Sequence, residues 1–184
     1  SVDWYQGTAD AVRKQSIEIH QANSKYTLIL AGDHLYRMDY RKFVEQHVNT
    51  GADVTVAVQP VARDVATGLG ILKLDNHNNI VEFKEKPKTD PELDVMASWP
   101  GAERPFMASM GIYVFNTEVL FELLDGRGND FGRDIIPQAM DTHRLHGFIF
   151  EGYWEDLGTI QRFYPVNLDM AHPDNPFDFY RANS

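Results

Sequence analysis

The chain has 184 residues, 43% hydrophobic and 12% aromatic, enough to bury one substantial core and too few for two full domains. Lys and Arg total 17 against 27 Asp and Glu, a net charge of -10. Without a local basic cluster, that balance excludes a nucleic acid polymer as partner but leaves room for a small anionic substrate handled by a divalent cation and a lysine or two. Cysteine is absent, which removes disulfides, thiolate nucleophiles and zinc-thiolate sites and fits a reducing compartment. No apolar run approaches the ~20 residues that span a bilayer, and Ser1-Val2-Asp3-Trp4 is not a basic-then-apolar leader. The expectation is one cytoplasmic α/β domain with no membrane partner. Lacking an initiator methionine and opening inside a motif-like segment, it reads as an internal piece of a longer protein.

In chain order, Thr8 caps a predicted helix to about Ala22, with Val12, Gln15, Ser16 and Ile19 on one face and Asn23-Ser24 as the stop. Tyr26 to Leu30 is a buried strand. Asp39 caps a second helix, where Tyr40, Phe43, Val44, His47 and Val48 follow the 3.6-residue period and Gly51 ends it. Val54 to Val58, before Pro60, is another buried strand. This strand-helix-strand series favours parallel pairing through a right-handed crossover.

Gly70 to Leu74 and Ile80 to Phe83 alternate about a turn-rich Asp75 to Asn79, the signature of an antiparallel hairpin. Pro87 to about Pro105 is a polar, proline-bearing surface excursion, after which Met110 to Phe115 resumes strand character. Asn116 caps a short helix to Leu124. A glycine-rich loop, Asp125 to Asp130, precedes a helix entered or broken at Pro137, then a strand from Leu145 to Phe150 and a last helix from Thr159 to about Met170. Pro173 and Pro176 mark His172 to Ser184 as an exit linker.

Chemistry-bearing residues collect at strand ends. Asp33 follows the buried strand through Ala31-Gly32, where a carboxylate would be costly without a metal or donors, and where open α/β sheets bind ligands. A second acidic turn, Gly152 to Thr159, carries Asp156. Two such carboxylates converging on one divalent cation would suit phosphate chemistry. His34 is a packing neighbour, since magnesium prefers oxygen. Pro87 stops the hairpin ladder after Glu85-Lys86, releasing the lysine head at a strand end. A phosphate would suit it, and an exposed edge guarded against aggregation by Lys84, Lys86 and Lys88 would look the same. Tyr5-Gln6-Gly7-Thr8 precedes a helix start, which suits an anion or a flat base but equally a plain cap. Ser109-Met110-Gly111 reads as core packing. Asp130, Asp134, Asp169, His143 and His146 read as caps and surface.

Taken in order, Trp4-Tyr5-Gln6-Gly7-Thr8-Ala9-Asp10-Ala11, Leu30-Ala31-Gly32-Asp33-His34, Phe83-Lys84-Glu85-Lys86-Pro87, Ala108 to Phe115 and Tyr153 to Thr159 resemble the glucose-1-phosphate adenylyltransferases (ADP-glucose pyrophosphorylases). The resemblance implies a doubly wound, mainly parallel α/β nucleotidyltransferase domain, Rossmann-like, over residues 1–170, with 171–184 a linker towards a C-terminal β-helix domain. It implies adenylyl transfer from ATP to α-D-glucose 1-phosphate, giving ADP-glucose and pyrophosphate for glycogen or starch, in an allosteric homotetramer. Asp33 and Asp156 match the Mg2+-binding aspartates, and with Lys86 they make the catalytic set. Tyr5, Gly70, Glu85, Lys86 and Ser109 match glucose 1-phosphate contacts; Gly7 and Thr8 fall where the family lays adenine on backbone. The family's N-terminal glycine-rich loop, with its arginine and lysine, has no match here. The sheet is therefore expected to lack a central strand, and this polypeptide alone to be inactive or nearly so. A relative using UTP or dTTP and a catalytically silent regulatory subunit are the competing readings.

Overall fold

The computed structural model describes residues 2–31 and 39–150. In chain order they form β1 (Val2–Gln6), α1 (Ala9–Lys14), α2 (Ser16–Ala22), β2 (Tyr26–Leu30), α3 (Tyr40–Thr50), β3 (Val54–Val61), α4 (Arg63–Ala66) and β4 (Gly70–Leu74). There follow β5 (Ile80–Glu85), α5 (Asp90–Asp94), β6 (Phe106–Asn116), α6 (Thr117–Leu124), a π-helical turn (Phe131–Ile135), α7 (Ile136–Ala139) and β7 (Leu145–Ile149). The expected last helix and linker lie outside the described residues.

Strand order is β1-β2-β6-β3-β7, with the β4–β5 hairpin joined through β4 to β6. β1 pairs parallel with β2, and β3 with β7, while β6 is antiparallel to β2, β3 and β4. So β1, β2, β3, β4 and β7 run one way, against β5 and β6. The mainly parallel direction stands, but β2 and β3 are not neighbours, because β6 lies between them. Its eleven residues are apolar on both faces, and such a strand is stable only where both faces are covered.

Alternation along the central strands builds two cores. Leu28, Leu30, Ala57, Ala108, Ile112 and Val114 face α3 residues Phe43 and Val44. Ile29, Val54, Val56, Met107, Tyr113 and Phe115 face Val12, Ile19, Leu120 and Phe131. Helices cover both faces of the sheet, as the doubly wound reading requires.

Local signals account for most boundaries. Thr8 Oγ1 accepts from the Ala11 amide and Asp39 from Arg41; Gly51 ends α3 in the left-handed region. The single helix expected to Ala22 is broken at Gln15 into α1 and α2. Val48 completes the period of α3 yet is exposed. β3 runs through Pro60 to Val61, since among the described residues β7 pairs only as far as Val58 and Pro60 has no ladder partner on that side. Asn116 occupies the start of α6 without capping it; its side chain instead accepts from His47. The segment after Pro87 is no mere surface excursion, since α5 and the turn after it bury Leu93 and Met96 in the first core. His146 is buried too, because β7 sets it opposite Thr55.

Candidate active site

Along one edge of β6, β2 covers Ile112 to Asn116 and β4 covers Met107 and Ala108. Between them Ser109, Met110 and Gly111 have no strand partner on that edge among the described residues. A cleft of about 230 Å³ opens there, lined by Ala31, Gly70, Phe83, Glu85, Ser109, Met110, Gly111, Tyr113, Asp130 and Gly132. It lies at the carboxyl end of β2, where open sheets take ligands.

The β6 segment is bulged at this point. Val56 opposes Tyr113 and Val58 opposes Ser109, so three residues of β6 stand against one of β3. Gly111 takes φ +71° in the bulge. Its carbonyl accepts from the Ala31 amide at 2.7 Å, and a methyl on it would lie 2.6 Å from the Ala31 carbonyl oxygen. Ser109 Oγ accepts from the Gly111 amide at 3.2 Å, which leaves the hydroxyl proton free to be donated into the cleft. Core packing alone does not describe Ser109.

Across the cleft, the last hairpin pair is Gly70 with Glu85, followed by a Lys86 amide bond to the Leu69 carbonyl at 2.9 Å. That bond closes the hairpin and holds Lys86 at φ +46°, a left-handed conformation that costs a residue with a Cβ on the order of 1 kcal/mol. Lys86 is exposed, with Pro87 buried behind it, and its neighbour Glu85 lines the cleft while Lys86 itself does not. The neighbouring lysines differ in use. Lys88 Nζ donates to the Thr67 carbonyl at 2.8 Å, and Lys84 is exposed on the opposite face of the hairpin from Glu85.

The third wall comes from the glycine-rich loop. Asp130 accepts from the Arg133 amide at 2.7 Å, and Asp134 accepts from the amides of Asn129 and Asp130. Those two amide bonds hold the Asp134 carboxyl below its usual range. The reading of Asp130 as a cap is correct as far as it goes, yet the same residue faces the cleft. Tyr113, whose hydroxyl lies 3.3 Å from where a Gly132 methyl would stand, was not singled out in the sequence either. A glycine on each side of Asp130-Phe131 was the only available signal.

Tyr5 is buried in the second core and Gly7 and Thr8 join β1 to α1; none of the three lines the cleft. The first-turn amides of α1 are already bonded: Ala9 to the Asn129 carbonyl, Asp10 to the Asn129 side chain and Ala11 to Thr8. The amides of Ala9, Asp10 and Ala11 are thus spent within the described residues, and the donor left at this turn is the Thr8 hydroxyl. Asp33, His34 and Asp156 lie outside the described residues. A larger hollow, about 590 Å³, opens at the far end of the sheet among Lys25, Asp53, Asn116 and Phe121, and no expected site residue lines it.

A model of the nucleotidyl transferase family matches residues 3–172. The chain belongs to the nucleotidyl transferase family. A similar relative of this nucleotidyl transferase chain is the chloroplastic/amyloplastic glucose-1-phosphate adenylyltransferase small subunit of Triticum aestivum, 44% identical over 191 aligned residues. The alignment covers 97% of this chain and 40% of the relative, so the chain spans well under half the relative's length. Among the described residues of this family member, no helix is long and apolar enough to cross a membrane.

Proposed function

We propose that the protein carrying this chain transfers the adenylyl group of ATP to α-D-glucose 1-phosphate, releasing pyrophosphate and forming ADP-glucose. The observation that carries the reading is the meeting of Gly70, Glu85 and Ser109, distant in sequence, around one cleft at the end of β2. The resemblance assigned all three to the sugar phosphate, and the similarity to the wheat adenylyltransferase supports the nucleotide choice.

In this scheme a sugar-phosphate oxygen attacks the α-phosphorus of ATP in line, the bond to the β-phosphate breaks, and pyrophosphate leaves with the electron pair. No protein nucleophile is needed. Glu85 accepts from glucose hydroxyls and the Ser109 hydroxyl donates, which fixes the ring. Lys86 sets its ammonium on the sugar phosphate and offsets charge repulsion between the two reactants. By the resemblance, Tyr5 is a further contact of glucose 1-phosphate, and Gly7 and Thr8 take the adenine. Asp33 and Asp156 are proposed to hold Mg2+, which supplies charge neutralisation at the reacting phosphate. Asp33 and Asp156 lie outside the described residues, among which no cluster of three or more His, Asp or Glu is placed to hold a metal ion.

Residues 1–170 are read as the catalytic domain and 171–184 as a linker towards a β-helix domain. Homotetramer assembly and allosteric control belong to the same proposal, as does a cytoplasmic site of action, which rests on the acidic, cysteine-free composition. The wheat relative is named as a plastid protein, and cell fractionation decides between the compartments.

The test is pyrophosphate exchange by the full-length protein with glucose 1-phosphate and each nucleoside triphosphate. Turnover with ATP well above UTP and dTTP is expected, lost with Asp33→Asn and shifted to a higher sugar-phosphate KM with Lys86→Ala. Equal rates with all triphosphates would defeat the adenylyl assignment. Sugar-phosphate binding without exchange would identify the silent subunit.

A further inference from the structure

On the cleft face of the β4–β5 hairpin, Gly70 opposes Glu85 and Leu72 opposes Phe83. A methyl at Gly70 would stand 3.1 Å from Glu85 Oε2, 3.2 Å from Phe83 Cε2 and 3.4 Å from Phe83 Cζ. The carboxylate and the ring tip thus lean over the same backbone atom from two sides. Gly70 is not among the glycines with positive φ, so its backbone does not call for glycine; only the space above it does. Phe83 is half-buried and packs its ring on the second core, which fixes it. Glu85 is exposed, and no hydrogen bond or ion pair to a described residue anchors its carboxylate. A free glutamate side chain carries on the order of 1.5–2 kcal/mol of rotamer entropy, so something must narrow its range if it is to hold a ligand.

We propose that Phe83 and Gly70 form a socket that positions the Glu85 carboxylate, making Phe83 a positioning residue for the sugar ring. The proposal rests on the reading of this cleft as the sugar-phosphate site. The ring tip keeps the carboxylate from sinking towards the core, and the missing side chain at Gly70 gives it a seat over the strand. Gly70 then serves the sugar indirectly, by what it leaves empty, as well as by its own backbone. A methyl at position 70 would push the carboxylate or the ring tip out of that seat by a few tenths of an ångström.

The experiment uses the full-length protein, with Gly70→Ala and Phe83→Leu each made in the wild-type and in a Glu85→Ala background. In the wild-type background both are expected to raise KM for glucose 1-phosphate about tenfold, with KM for ATP moving less than twofold. In the Glu85→Ala background they are expected to add less than twofold, because the group they position is gone. A nuclear Overhauser contact between the Glu85 side chain and the Phe83 ring, seen without substrate, is expected to vanish in Gly70→Ala while the melting temperature holds. Equal effects in both backgrounds, equal shifts for both substrates, or an unchanged sugar-phosphate KM would overturn the socket while leaving the cleft assignment intact. A wild-type protein that shows no binding of glucose 1-phosphate by calorimetry removes the cleft assignment and the socket together.

Discussion

At the end of the sheet where β2 and β3 begin, polar side chains bond to one another. His47 Nδ1 meets Thr55 Oγ1 at 2.7 Å, His47 Nε2 meets Asn116 Oδ1 at 2.8 Å, and Thr27 and Thr117 share a 2.7 Å hydroxyl pair. At the other end, where β2 finishes, polar groups are set by backbone. Ser109 bonds a bulge amide, Asp130 an amide of the π-helical turn, and Lys86 is placed by a left-handed residue whose own amide is bonded. A side chain answered by another side chain adds stability and spends part of its capacity inside the protein. One set by its backbone still has hydrogen-bonding capacity to offer a ligand. Left-handed backbone occurs at both ends, at Asn23 beside the first and at Gly111 and Lys86 at the second, and of these only Lys86 is neither glycine nor asparagine.

The largest expected effect breaks the bulge. Gly111→Ala combines a positive φ with a methyl 2.6 Å from the Ala31 carbonyl oxygen, a backbone atom that cannot swing aside. Destabilisation on the order of 3 kcal/mol is expected by urea unfolding. A loss under about 1 kcal/mol would mean that β2 and β6 part easily here, and that the cleft is not backbone-built.

Next comes the far end. With Asn116 Oδ1 accepting, His47 Nε2 carries a proton, and burial favours the neutral ring, in which Nδ1 accepts from the Thr55 hydroxyl. His47→Leu takes the partner from the buried Thr55 hydroxyl and from the half-buried Asn116 amide, at a cost of roughly 2–3 kcal/mol. The pH dependence has a definite sign. Burial lowers the His47 pKa from 6.5, opposed by the Asn116 bond and by Asp53 and reinforced by His146. Burial and then Arg144 lower that of His146, against the opposing charge of Asp75. Below pH 6.5 the unfolded chain takes up more protons than the folded one, so this contribution is full above that pH and declines as the pH falls. In His47→Leu the decline between pH 6.5 and the folded values should be shallower. An unchanged slope in chemical denaturation across that range would assign the pH dependence to other groups.

The same contrast explains what the sequence made legible. β2, α3 with Asp39 and Gly51, the β4–β5 hairpin and β7 each carry a local period and a local stop, and local signals are sufficient for them. Strand order is not local: nothing in Tyr26 to Val58 announces that β6, some fifty residues on, will lie between β2 and β3. Asn116 has the right identity for a cap, but His47, 69 residues away, claims its oxygen. His146 looked like surface because its burial depends on its partner strand. Leu93 and Met96 are two apolar anchors in a polar run, too few to show a period. In the cleft, Gly70, Glu85 and Ser109 were legible through motif resemblance. Phe83, Tyr113 and Asp130 were not, because an aromatic on a strand and an aspartate at a helix start are more often core and cap.

The smallest expected effect sharpens the comparison most, because it separates stability from binding at one residue. Lys86 holds φ +46° through its amide bond to Leu69. Of two variants that both remove the ammonium, Lys86→Gly relieves the left-handed strain and Lys86→Ala keeps it. Lys86→Gly is therefore expected to be the more stable by about 1 kcal/mol, less what glycine loses in added unfolded-state entropy. Both should lose affinity for glucose 1-phosphate to a similar extent, since the charge is gone from each. Lys86→Gly clearly less stable than Lys86→Ala would mean that the hairpin end relaxes once the side chain is cut, because the entropy cost of glycine would then stand alone. A variant order in which Lys86→Gly binds far worse than Lys86→Ala would show that the turn itself, rather than the ammonium, organises the cleft.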